Sequence, residues 1–482
     1  MQGSHRPPSS SILLGRSTLL GSLALVALTC ATLEVTLADD PPPPEAGGLA
    51  IPVSGSNVYS IPEEHEVEIW TGHLGGDCRP KRLTTAQLFD PQRAIQTSDD
   101  GSTLAYLTSS GVSFERPDGF KMSRARLQGG FHPGVAAAAQ LVLSRTGRRA
   151  AYVTHEGAAE LLRTTLWTVD LGAGSAPGPL PAPTVKPRRV KRSAPGVHVL
   201  PVGWSPSGES LIYLEQTPVR GHFVSVLIVR DVRAQTEGEI DRCLGQIDFA
   251  LPFQTGPSAG TYGVLVGRGA QVRWVYPNGA PDEVLRSPEG TPLIGQGIQE
   301  IAASPSQPLD LAIRMGWPSL QADGKVQSGV YRIRGDRAQQ ITTGRGYTSL
   351  SYGPQGTLSI MDTNSITLFA AKSETTLAFA DRDEKTVAIR ASDWHSSERM
   401  LAIALEDEVL VLDLNGNLPD DAQRRSGWSE FVGLRAPGSP KPTLHRAFRL
   451  AKGSQQRITS VLWHGGRLVW TLQKASQAGL TR

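Results

Sequence analysis

Several stretches of this 482-residue chain have residue types and spacings that chemistry could use. Gly256-Pro257-Ser258-Ala259-Gly260 spells G-x-S-x-G, the turn that exposes a hydrolase serine between a strand and a helix. Here Thr261–Val266 continues as a β-type run, so the stretch reads as a hairpin turn. Trp394-His395 and Trp463-His464 put two imidazoles at one position of a repeated pattern, where they could approach each other across one or two units. A metal needs further ligands at spacings that fix its geometry, and no H-x-x-x-H, C-x-x-C or H-E-x-x-H occurs. Both histidines read as turn residues beneath a repeated aromatic. Asp413-Leu414-Asn415-Gly416-Asn417, with Asp420 and Asp421 beyond, offers oxygen donors but not the register of a calcium loop, so it also reads as a turn. The neighbouring acids Glu63-Glu64, Asp99-Asp100 and Asp420-Asp421 point to opposite faces of a strand and suit acid–base work poorly. No catalytic, cofactor-binding or metal-ligating residue is assigned, and no cofactor is expected.

The elements that would position these residues are short strands. Trp204–Leu214 reads W-S-P-S-G-E-S-L-I-Y-L: a polar turn, then an apolar run suited to a half-buried strand, with Leu200-Pro201-Val202 leading in. This strand–turn–strand hairpin recurs. Anchors fall at residues 101, 147, 208, 260, 307, 356, 398 and 466, separated by 42 to 68 residues, and the last three are degenerate. Leu166–Leu171, Val226–Val232 and Val409–Leu414 add a further strand in several units. A repeat of this length built from short strands is the mark of a propeller blade, which buries its faces only by stacking on its neighbours.

The hairpin W-S-P-S-G-x-x-L-I-Y, the strand L-W-T-V-D-L and the stretch Val67–Thr85, which ends G-G-D-C-R-P-K-R-L-T-T, resemble the TolB-like, WD-repeat-like β-propeller family over about residues 64–475. The resemblance implies an all-β fold: one β-propeller of about seven four-stranded blades, within a range of six to eight. The α/β domain that precedes the propeller in TolB itself has no counterpart here. The pattern Glu66–Trp70 reads as an outer strand with no hairpin before it, and Ile458–Leu472 as a hairpin with no outer strand after it. Joining the N- and C-terminal strands completes one blade and seals the ring.

Leu19–Leu33 is almost wholly apolar and follows Arg6 and Arg16, and Thr36-Leu37-Ala38 offers small residues for cleavage. Residues 1–38 therefore read as an export signal, too short for a comfortable span of ~20 residues. Cys30 lacks the surroundings of a lipid-attachment box. Residues 39–60 form a Pro-rich tether, 61–475 the propeller, 172–196 a Gly/Pro-rich basic inter-blade loop, and 476–482 a tail. Removing residues 1–38 takes the net charge from +3 to +2 (46 Lys+Arg against 44 Asp+Glu), which gives no drive toward nucleic acid or an anionic surface. Cys78 and Cys243 remain and, 165 residues apart, read as two free buried thiols; the alternative is a pairing that export would permit.

The expected role is that of a periplasmic or secreted, monomeric protein-binding or scaffolding module, as the resemblance implies, rather than an enzyme. The alternative is a hydrolase or lyase acting on a sugar or peptide at the channel mouth. Prolyl-oligopeptidase-type enzymes also carry a propeller, but the residues after 475 are too few for a hydrolase domain. Lys186, Arg188, Arg189, Lys191 and Arg192, in the 172–196 segment, would serve either as a solvated linker or as an arm for an acidic partner.

Overall fold

The computed structural model describes residues 65–474, except 75–79, 89–94, 109–110, 116–124, 127–140, 157–161, 173–185, 221, 246, 248, 256–261, 269–270, 287–289, 291, 294–297, 305–309, 321–325, 335–336, 343–346, 371–372, 379–386 and 418–441. The signal and tether segments, Cys78, Ser258 and the C-terminal tail therefore lie outside the described residues.

The described chain is all-β and forms eight four-stranded antiparallel sheets, each a blade. Blade 1 runs from strand Ile95–Thr97 to Ala125–Arg126, blade 2 from Leu141–Leu143 to Arg188–Arg192, and blade 3 from His198–Trp204 to Glu237–Leu244. Blade 4 runs from Phe249–Gln254 to Glu283–Val284, blade 5 from Ile298–Ala303 to Arg337–Thr342, blade 6 from Tyr347–Tyr352 to Ser373–Ala378, and blade 7 from Ile389–Trp394 to Thr443–Arg449. In each, the strands lie side by side in chain order, inner to outer.

Eight blades correct the expectation of about seven. The six anchors among the described residues, 101, 147, 208, 356, 398 and 466, each fall on the link between the two innermost strands of a blade, the degenerate ones included; 260 and 307 lie outside the described residues. In the regular turns a serine does two jobs: its carbonyl accepts the glycine N–H three residues on, and its hydroxyl accepts the N–H five residues on. Ser98, Ser144 and Ser205 all do this. The degenerate turns reach the same end by other means. Gly353 takes the serine's place before Gly356, which keeps φ at +74°. In blade 7 the ring Nδ1 of His395 accepts the N–H groups of Ser397 and Glu398. The turn geometry persists where its consensus is lost.

Blade 8 combines both ends of the described chain. Its order is Lys81–Leu88, His65–His73, Arg467–Lys474, Gln456–His464. His65–His73 pairs antiparallel with Arg467–Lys474, Val67 opposite Gln473 and Trp70 opposite Trp470. The N-terminal segment thus supplies two strands, not one, and Glu66–Trp70 lies in the third position while Lys81–Leu88 is outermost. An apolar cluster fills each seam between sequential blades. That between blades 7 and 8 holds Ala402, Val411, Trp463 and Trp470, and that between blades 8 and 1 holds Val67, Ile69, Leu104 and Tyr106. Every blade so buries both of its faces, as stacked sheets must.

Blade turns also interlock. Gly147 has φ +61°, and a Cβ there would sit 2.3 Å from the Thr103 hydroxyl of blade 1. That hydroxyl donates to the Gly147 carbonyl at 3.0 Å. Glycine is required for both the dihedral and the approach.

Candidate functional site

The repeated aromatic ends the first strand of its blade and reaches back to the preceding blade. Trp204 Nε1 donates to Val142 O at 3.4 Å, Tyr352 Oη to Asp310 Oδ1 at 3.0 Å, and Trp394 Nε1 to the buried Ser359 Oγ at 3.0 Å. Trp463 of blade 8 meets the His395 ring of blade 7 edge-on, with centroids 4.8 Å apart. Of the two histidines singled out in the sequence, His395 packs on an indole, and its Nδ1 is engaged by backbone. Burial pushes the His395 pKa down, against the pull of Glu398. This ring caps its turn, and burial disfavours its charged form. His464 is buried at the end of the blade 8 inner strand.

Beside His395 stands an acid that the sequence reading passed over. Asp393 lies on the inner strand of blade 7, and its Oδ2 accepts the backbone N–H of Trp463 at 2.8 Å. The carboxyl is half-buried between the blades. Burial pushes it up to about 7, although the amides of Trp463 and Trp394 pull the other way. The turns of three blades meet nearby: Ser396 Oγ donates to Asp100 O at 3.4 Å, and a Cβ on Gly101 would lie 3.3 Å from the Gly465 nitrogen.

A second acid on an inner strand behaves alike. Glu300 of blade 5 accepts from Ser349 Oγ of blade 6 at 3.0 Å and from Arg314 Nε at 3.2 Å. Burial raises its pKa, and Arg314, the Leu350 amide and Ser349 oppose the rise. In the same seam Asp310, 2% exposed, accepts two bonds from Arg332 at 2.8 and 2.6 Å besides that from Tyr352. Burial, with the Asp310 charge beside it, raises the Tyr352 pKa. Each of these side chains reaches the next blade or holds one that does.

The other sequence candidates among the described residues are turns or strands; Glu63, Glu64, Ser258, Asp420 and Asp421 lie outside them. Asp413 is fully buried and accepts the N–H groups of Asn415 and Asn417 at 2.7 and 2.6 Å, so it caps its turn. Among the described residues no three His, Cys, Asp or Glu side chains gather to hold a metal. Cys243 Sγ lies 3.7 Å from Gly245 O. Of the basic 172–196 stretch, Arg188–Arg192 form the outer strand of blade 2. The signal that could have found Asp393 and Glu300 is a lone acid inside an apolar first strand, in I-R-A-S-D-W and I-Q-E-I-A-A.

Four-stranded blades stacked in chain order, with one blade drawn from both ends, define a β-propeller of eight blades. The propeller domain of the Trilobed protease from Pyrococcus furiosus is similar at 11% identity, covering 66% of this chain and 91% of that one, with a TM-score of 0.38. Oligogalacturonate lyase from Vibrio parahaemolyticus is similar at 10% identity, covering 72% and 95%, with a TM-score of 0.40. The Cps50 (Swd1) propeller domain of Myceliophteria thermophila is similar at 12% identity, covering 79% and 96%, with a TM-score of 0.30. No family model and no curated protein matches the chain.

Proposed function

We propose that this chain is an exported, non-enzymatic propeller of TolB-like type that binds or scaffolds a protein partner on its outer rim. One observation carries the reading. Val219 and Leu244, 41% and 78% exposed, are the large hydrophobic residues left in solvent among the described ones, and they share one end of blade 3. Cross-strand pairing puts Leu244 opposite Val224 and Pro218 opposite Phe223, so the exposed pair continues into a half-buried apolar end. An apolar end flanked by charged strands is the usual make-up of a docking surface. Support for export comes from Leu19–Leu33 and the small residues before Asp39.

The test is affinity capture from the envelope and secreted fractions with the full chain tagged at its C-terminus, beside a Leu244→Asp variant. A defined partner retained by the parent and lost by the variant supports the reading. A partner held equally by both overturns the rim assignment. Amino-terminal sequencing of the purified protein tests cleavage after Ala38.

An enzymatic reading has one observation in its favour: Asp393 is half-buried at the inner edge of blade 7 with its carboxyl poised near neutrality, where a general acid or base works best. Its bond to Trp463 N assigns it first to the seam.

A further inference from the structure

Blade 2 ends in the strand R-R-V-K-R, Arg188–Arg192. Its register against Arg163–Asp170 shifts between Arg189 and Lys191, so Val190 is the extra residue of a bulge. The bulge decides where the charges go. In a regular strand Arg189 and Arg192, three apart, would point to opposite faces. Here Arg189 lies opposite Trp167 and Arg192 opposite Thr165, which share a face because they are two apart on one strand. Arg163, two residues before Thr165, shares that face, opposite Glu156. Where the blade 1 side of blade 2 runs out past the packed Thr165 and Trp167, its edge thus gathers three guanidiniums and one carboxylate; the Glu156–Arg192 pair is 2.6 Å long and half-exposed. On the other side Lys191 is taken up by Glu215 of blade 3 and lies over the Tyr213 ring, which leaves Arg188 exposed.

We propose that the Arg163–Arg189–Arg192 face of blade 2 receives an acidic, extended segment of a protein partner, its carboxylates held in the guanidinium forks. This rests on the rim-binding reading above and names the partner's chemistry. Arginine suits the task because its planar fork matches a carboxylate two bonds at a time. The Trp167 side of blade 2 packs on blade 1 and the Lys191 side on blade 3, so these guanidiniums look toward blade 1, and an extended protein segment that also meets the apolar end of blade 3 crosses the outer edge of blade 2. Arg192 lies toward the end of blade 2 at which the second and third strands turn, the end that in blade 3 carries Val219. A single partner can cover both. The competing account is that bulge and basic residues only keep an exposed edge from pairing with another copy.

Fluorescence anisotropy of fluorescein-labelled deca-glutamate with the full chain at low salt separates these. Arg189→Glu and Arg188→Glu change the charge equally but on opposite faces. The proposal requires Arg189→Glu to weaken binding about tenfold and Arg188→Glu by less than about threefold, with affinity falling as salt rises. Equal losses in the two variants overturn it, because diffuse charge then suffices. Binding of heparin with no binding of deca-glutamate overturns it in favour of a polysaccharide. Self-association of Arg189→Glu, without peptide binding by the parent, leaves only edge protection. If partner capture is lost in Leu244→Asp but kept in Arg189→Glu, the rim reading stands and this inference fails.

Discussion

The Oδ2 atom of Asp393 accepts the backbone N–H of Trp463 at 2.8 Å, which ties the inner strand of blade 7 to that of the blade built from both chain ends. One hydrogen bond so joins an acid whose proton is held tightly to the seam that the two ends must share.

This seam should make stability depend on pH. The Asp393 pKa rises from 3.8 to about 7 on folding, so the folded chain holds this proton more tightly than the unfolded one. Its contribution is full below pH 3.8 and is lost as pH rises through about 7. Asp393→Asn keeps an acceptor for Trp463 N–H and cannot ionise. Relative to the parent it should gain on the order of 1–3 kcal/mol between pH 5 and pH 8, read by denaturant melts. An unchanged difference across that range contradicts the assignment.

His395 should act with the opposite sign. Its folded pKa is lowered, so its contribution is present above the unfolded value of 6.5 and is lost as pH falls below it. His395→Asn places an oxygen near Nδ1 and should hold the turn, whereas His395→Ala should cost about 1 kcal/mol by leaving two backbone donors unmet. Thermal melts at pH 8 check this, where ring charge plays no part.

The Asp310–Arg332 pair should show strong coupling. Asp310→Ala leaves Arg332 and the Tyr352 hydroxyl without their acceptor and should cost about 3–5 kcal/mol. Asp310→Ala with Arg332→Met should cost markedly less than the two single losses added. A double-mutant cycle in urea reads the difference.

Gly147 and Gly172 separate dihedral strain from collision. Both have positive φ, +61° and +72°, but only Gly147 has a neighbour where a Cβ would go. Gly172→Ala should cost about 1 kcal/mol from its dihedral alone, and Gly147→Ala clearly more. Equal losses would show that Thr103 yields freely.

The sequence made the blades legible because a turn has strict local needs. Ser205 and Gly208 satisfy them in consecutive residues, so Trp204–Leu214 announces its hairpin. The eighth blade was harder to count because blade 7 meets the same need with His395, a residue that no turn consensus contains. The third-strand place of His65–His73 could not be read locally, since it depends on pairing with Arg467–Lys474 nearly 400 residues away. The roles of Asp393 and Glu300 come from the adjoining blade, and nothing beside them in the chain states which groups will face them. The bulge at Val190, which decides where the four basic residues of Arg188–Arg192 point, appears only in register.

Hydrogen-exchange mass spectrometry of the full chain, alone and with its captured partner, tests the central claim most directly. Rim docking predicts added protection at Arg188–Arg192, at Pro218–Val224 and around Leu244, with no change at Ile389–Trp394. Protection centred on Ile389–Trp394 and Gln456–His464, with the rim unchanged, would contradict it and move the working site to the inner strands around Asp393.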